Sequence, residues 1–150
     1  MRIAFASDHA ALVLKALLVE HVRSLGHEAV DLGPTTTDSV DYPDYGYKLA
    51  DAIASGAAEM GVALCGSGIG ISIAVNRNPA CRCARVSEPL SARLAREHND
   101  ANVIAMGERL IGPDMAKDCL TVFLSTAFAG DRHARRVAKL TNPTFAKEPA

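Results

Sequence analysis

The stretch Gly61-Val62-Ala63-Leu64-Cys65-Gly66-Ser67-Gly68-Ile69-Gly70-Ile71-Ser72 decides the fold. An apolar run without polar interruption reads as a strand buried on both faces, three alternating glycines follow at once, and helical spacing then takes over. That is half of a βαβ unit. On either side of it, and including it, strands are expected near Arg2-Ala6, Glu28-Leu32, Gly61-Leu64, Arg82-Val86 and Asn102-Ala105. Helices are expected near Ala11-Leu25, Asp44-Ser55, Ile71-Asn76, Pro89-Glu97 and Pro113-Phe128, with residues 130–150 as a C-terminal helical tail. Punctuation agrees: Gly26 C-caps the first helix, Ser87-Glu88-Pro89 opens the fourth and Gly112-Pro113-Asp114 the fifth. Right-handed crossovers then give a three-layer α/β/α, Rossmann-like sandwich around a five-stranded parallel sheet.

The chain has 150 residues, 49% of them apolar, which suits a single domain. Sixteen basic residues against 17 acidic ones leave a net charge of -1 and give no global attraction to nucleic acid or an anionic membrane. The apolar stretch from Ala10 to Val19 is broken by Lys15, and Met1-Arg2-Ile3-Ala4-Phe5-Ala6 reads as a strand rather than a signal peptide, so a cytoplasmic location is expected. Cys65, Cys81, Cys83 and Cys119 are too irregular for a disulfide scaffold and are taken as reduced thiols. Cys81-x-Cys83 lacks the second pair that a zinc site needs.

In a parallel sheet the ligand crevice lies beyond the carboxyl ends of the strands. Three turns there carry chemistry: Ser7-Asp8-His9, Cys65-Gly66-Ser67-Gly68-Ile69-Gly70 and Gly107-Glu108-Arg109. The glycine loop can turn several amides into one concavity beside a positive helix end, which suits an anion. Its plainer reading is a tight turn that needs glycine only for positive φ. The spacing G-x-G-x-G after the third strand does not fit the dinucleotide fingerprint, G-x-G-x-x-G after the first. Cys65 reads as a base or nucleophile that helix-end amides would favour as a thiolate, or as a small core residue. Asp8 reads as an N-cap with His9 an exposed imidazole, and His98-Asn99-Asp100 as a polar turn. The run Arg132-His133-x-Arg135-Arg136 reads either as the solvated C-terminus of the last helix or, with Arg132 and Arg136 at i,i+4, as one face offering two guanidiniums to a phosphate.

Taken together, Ser7-Asp8-His9, Asp41-Tyr42-Pro43, Cys65 to Ser72, Ser87-Glu88-Pro89, His98-Asn99-Asp100-x-Asn102-Val103 and Gly130-x-Arg132-His133-x-x-Arg136 resemble the type B ribose 5-phosphate isomerases. That family also includes allose and galactose 6-phosphate isomerases. The resemblance runs in order from Ile3 to about Val137. It implies an aldose-ketose isomerisation through ring opening and an enediolate, without metal or organic cofactor. Cys65 then matches the catalytic base, and the amides of Gly66, Ser67, Gly68, Ile69 and Gly70 match the hole for the enediolate oxygen. His98 matches the ring opener, Ser67 and Asp8 handle hydroxyl and ring-oxygen protons, and Asn99 bonds the substrate. His9, Arg109, Arg132 and Arg136 match the phosphate-binding set, and Tyr42 lines the sugar pocket.

Ser67 stands where many members carry threonine, which keeps the hydroxyl but loosens its rotamer. A subclass places a carboxylate base six residues further on; here that position is Ile71, leaving Cys65 for the role. The alternatives are an isomerase of another sugar phosphate (allose 6-phosphate, galactose 6-phosphate or a tetrose phosphate) and a non-catalytic sugar-phosphate-binding domain, against which Cys65 together with His98 argues. Finally, Cys65 follows the third strand while His98 precedes the fifth, so the two lie at opposite edges of the sheet. One sugar can meet both only if a second subunit supplies His98, which predicts a homodimer with shared sites and allows a dimer of dimers.

Overall fold

The computed structural model describes residues 1–145; residues 146–150, the end of the expected tail, lie outside the described residues. Its centre is the strand read first, β3 (Met60–Cys65), flanked by β1 (Arg2–Ser7) and β5 (Val103–Gly107). With β2 (Glu28–Asp31) and β4 (Cys83–Arg85) outside them, the sheet runs β2-β1-β3-β5-β4 and every pairing is parallel, as expected.

Alternation along the strands sorts side chains by size. Ile3, Phe5, Val62, Leu64, Ile104 and Met106 fill one core against α1 (Leu12–Ser24), α4 (Pro89–Asn99) and α5 (Pro113–Ser125). Ala4, Ala6, Ala63, Cys65 and Ala105 fill the other, where their small size lets α2 (Tyr42–Ala54) and α3 (Ile69–Val75) come close. The approach is tight enough that a Cβ on Gly46 of α2 would lie 2.8 Å from Ala74 Cβ of α3. Cys65 therefore sits at the carboxyl end of the central strand, on the α3 side.

Helix starts depart from expectation by a turn or less. A 3₁₀ turn over His9–Ala11 precedes α1, and α2 starts at Tyr42 rather than Asp44 because Pro43 is tolerated in a first turn. Gly68, at φ +74, turns the chain so that α3 opens at Ile69 rather than Ile71. At its far end α5 stops at Ser125, short of Phe128: Thr126 is extended, and Arg96 Nε captures its carbonyl at 3.2 Å.

One expectation is corrected. The run Arg132-His133-x-Arg135-Arg136 does not end the last helix; it opens a separate one, α6 (Arg132–Thr141), after Gly130 (φ +65) and Asp131 (φ +48) break the chain. Cations at a helix N-terminus oppose its dipole, so this cluster is not there to stabilise α6. Among the described residues no carboxylate pairs with these arginines, which suits an anion.

Candidate active site

The carboxyl ends of β1, β3 and β5 frame a cleft of about 280 Å³ lined by Asp8, Tyr42, Cys65, Gly66, Ser67, Gly70, Arg109 and Leu110. Each wall has a local cause. Asp8, 8% exposed, N-caps the 3₁₀ turn by accepting the Ala10 N–H at 2.9 Å, as the capping reading has it, and it also lines the cleft. Tyr42 lays its ring on Gly70, where a Cβ would lie 2.6 Å from Tyr42 Cζ, and only a bare backbone admits it. Arg109 donates its N–H to Gly66 O at 3.0 Å, and its guanidinium lies over the Gly66 backbone. A cation thus stands at the mouth of the glycine loop.

Within the loop the amides divide. Gly68 N–H donates to Cys65 Sγ at 3.0 Å, and Ile69 N–H donates to Ser67 Oγ at 3.2 Å. Both are engaged. The amides of Gly66 and Ser67 donate to no acceptor among the described residues, which leaves them for a ligand oxygen. The loop stands close against β5: a Cβ on Gly107 would lie 2.5 Å from the Ser67 carbonyl carbon. His9, beyond the cleft lining, accepts the Val40 N–H on Nδ1 at 3.1 Å, which leaves Nε2 as the ring's free nitrogen.

The remaining expected residues gather elsewhere. His98 and Asn99 end α4 just before β5 begins, at the amino edge of the sheet. Asp100, in left-handed geometry (φ 44), caps the helix and takes ion pairs from Arg82 and Arg96 at 3.0 and 2.9 Å. Asn102 ties the same turn to Arg82 N and Ala80 O. Half of the motif is thus structural, and it braces His98 and Asn99. The His98 ring stacks on His133 with centroids 4.3 Å apart, and Ala129 N–H bonds Glu97 O, so Arg132 and Arg136 share this edge with His98. Burial, with the nearby His98 and Arg132, lowers the His133 pKa from its ordinary value.

Burial pushes the Cys81 and Cys119 thiols up to about 11 and Cys83 higher still, as core thiols behave. Among the described residues no three His, Cys, Asp or Glu side chains form a metal-binding group. Two contributors escaped the sequence reading. His133 sits inside the arginine run, and nothing in the neighbouring sequence marks its stack on His98. Arg85, inside an unremarkable strand, donates Nε to Ser67 O at 3.2 Å across the end of β5.

Fold and cleft together define a Rossmann-like α/β protein with a cleft of small-molecule size at the carboxyl edge of its sheet. Comparison with known proteins narrows the class. The chain belongs to the ribose/galactose isomerase family, whose model matches residues 3–140. It is 41% identical over 140 residues to the ribose-5-phosphate isomerase B of Escherichia coli, covering 93% of this chain and 94% of that protein. Among solved structures, ribose-5-phosphate isomerase B of Clostridium thermocellum superposes with a TM-score of 0.92 at 44% identity, covering 94% of this chain and 95% of that one. The ribose 5-phosphate isomerase of Thermotoga maritima superposes at 0.91 and 46% identity, covering 93% and 97%.

Proposed function

We propose that the chain is a single-domain aldose-ketose isomerase that interconverts ribose 5-phosphate and ribulose 5-phosphate with no metal or organic cofactor. One observation carries the reading: the Cys65 sulfur is held by an amide at the edge of a cleft whose neighbouring Gly66 and Ser67 amides have no acceptor among the described residues. The Cys65 thiolate takes the proton from C2 of the open-chain aldose, and the electron pair moves into an enediolate. Its oxygen accepts the free N–H groups, and the proton returns to C1 to give the ketose. One such donor is typically worth about 3 to 4 kcal/mol in the transition state and a positioned base roughly 10² to 10⁴ in rate. Ser67 and Asp8 move protons on the sugar oxygens, Tyr42 packs against the sugar, and Arg109 and His9 meet the phosphate.

His98 opens the furanose, with Asn99 beside it, and reaches the substrate from a second copy of the chain. The geometry supports this. Cys65 pairs with Gly107 at one end of β5, while His98 precedes Val103 at the other, roughly 15 Å away for a five-residue strand. Arg132 and Arg136 sit with His98 and so come from that same second copy. Ile69 and Ile73, one turn apart on α3 beside the cleft, are 51% and 52% exposed, and a partner would cover them. The enzyme is accordingly a homodimer with two composite sites, working in the cytoplasm; among the described residues no helix is long and apolar enough to cross a membrane.

The test is incubation with ribose 5-phosphate in the presence of EDTA, with a ketose readout, alongside allose 6-phosphate, galactose 6-phosphate and a tetrose phosphate. Ketose formed fastest from ribose 5-phosphate supports the assignment. A faster six-carbon or four-carbon substrate reassigns the sugar, no ketose from any of them leaves a binding domain, and loss only on chelation implicates a metal.

A further inference from the structure

We propose that Arg85 is a positioning residue for Cys65, acting through the single peptide group that joins Ser67 to Gly68. Arg85 closes β4, pairs with Ala105 of β5, and is exposed, with no carboxylate within ion-pair distance among the described residues. Its Nε donates to Ser67 O at 3.2 Å. That oxygen belongs to the same peptide group as the Gly68 N–H, which donates to Cys65 Sγ at 3.0 Å. A planar trans peptide points its C=O and N–H in opposite directions, so a cation stands at one end of the dipole and the sulfur at the other. Charge drawn toward the oxygen strengthens what the N–H offers the sulfur, because linked hydrogen bonds polarise one another.

The peptide has no room to turn away. A Cβ on Gly107 would lie 2.5 Å from the Ser67 carbonyl carbon, and one on Gly68 would lie 2.7 Å from the Met106 carbonyl carbon, so β5 backs the group along its length. Gly68, at φ +74 in the left-handed region that favours glycine, turns the chain from that peptide into α3. Among the described residues, the other titratable or charged groups in the cleft with Cys65 are Asp8 from the turn after β1, Tyr42 from α2 and Arg109 from the turn after β5. Arg85 differs from them: it is not among the cleft's lining residues, and it reaches the thiol only through the backbone.

The proposal rests on Cys65 as the reacting thiol, so the test reads the thiol directly, without sugar. Full-length Arg85→Leu, Arg85→Lys and wild-type protein are treated with iodoacetamide across a pH series, and Cys65 modification is followed by peptide mass spectrometry. Because an exposed cation is screened, the expected deficit of Arg85→Leu near neutral pH is about three- to fivefold. It closes at alkaline pH, where the thiol is ionised regardless, and Arg85→Lys recovers part of it. Turnover of ribose 5-phosphate falls by a similar factor at unchanged KM. Equal rates at every pH overturn the proposal, as does a deficit that persists at alkaline pH, which means lost access rather than lost polarisation. A closing alkylation gap with unchanged turnover upholds the Arg85 link and removes Cys65 from the reaction instead.

Discussion

Replacing Gly107 by alanine puts the closeness of β5 and the glycine loop to the test. The added Cβ would stand 2.5, 2.6 and 2.7 Å from the carbonyl carbon, Cα and carbonyl oxygen of Ser67. All three are backbone, so no side chain can swing aside, and the loop must move by roughly 1 Å to reach ordinary contact distance. Overpacking of this kind costs about 1 to 3 kcal/mol, which a domain of this size survives with a Tm lower by about 2 to 4 °C per kcal/mol. The functional cost is larger. The same movement carries the Gly68 N–H away from Cys65 Sγ and displaces the free amides, and a misplacement of about 1 Å costs on the order of 10² in rate. Steady-state kinetics with ribose 5-phosphate should therefore show kcat down about 100-fold, with some rise in KM because Arg109 rides on the same loop. Gly112→Ala is the control, because its Cβ meets nothing within 4 Å. If Gly107→Ala keeps about a third of wild-type turnover or more, the amide geometry is not what sets the rate.

Cys65→Ala should abolish isomerisation while phosphate binding persists, and iodoacetamide should modify Cys65 well ahead of Cys81, Cys83 and Cys119, whose thiols burial pushes up; equal labelling of all four contradicts the assignment. His98→Asn should cost roughly 10² or more on ribose 5-phosphate but much less on a tetrose phosphate that cannot close the ring, and equal loss on both removes ring opening from His98. The lowered His133 pKa means that the fold holds the neutral ring, so its contribution to stability is present above the ordinary value of 6.5 and lost as the pH falls below it. His133→Phe, which keeps a flat ring against His98, should then lose less stability on acidification than wild type, measured by denaturant unfolding. An identical loss in both refutes the burial argument.

What the sequence made legible is what adjacent residues encode. Cys65, the glycines and the strand before them form one continuous stretch, so their shared place at a strand end could be read directly. The two-edge separation of Cys65 and His98 followed from chain direction in a parallel sheet. What could not be read is what residues distant in sequence do to each other. Arg85 reaches Ser67 only because β4 and β5 lie side by side, and His133 meets His98 only because the chain turns back after α5. The helix over the tail was legible, and its direction at the arginine run could be read too: Gly130, a breaker just before Arg132, marks the run as a start and not an end. Nor could the loop's amides be told apart by residue type, since which of them are free depends on where Cys65 Sγ and Ser67 Oγ point.

If Cys65 of one subunit and His98 of another act on one substrate, mixing two inactive variants restores activity. Cys65→Ala and His98→Asn are combined under conditions of subunit exchange, and mixed dimers are counted by native mass spectrometry. Random pairing makes about half of the dimers mixed, and each mixed dimer regains one intact site of two. About a quarter of wild-type activity should return. A mixture that stays inactive although mixed dimers are present contradicts the shared site.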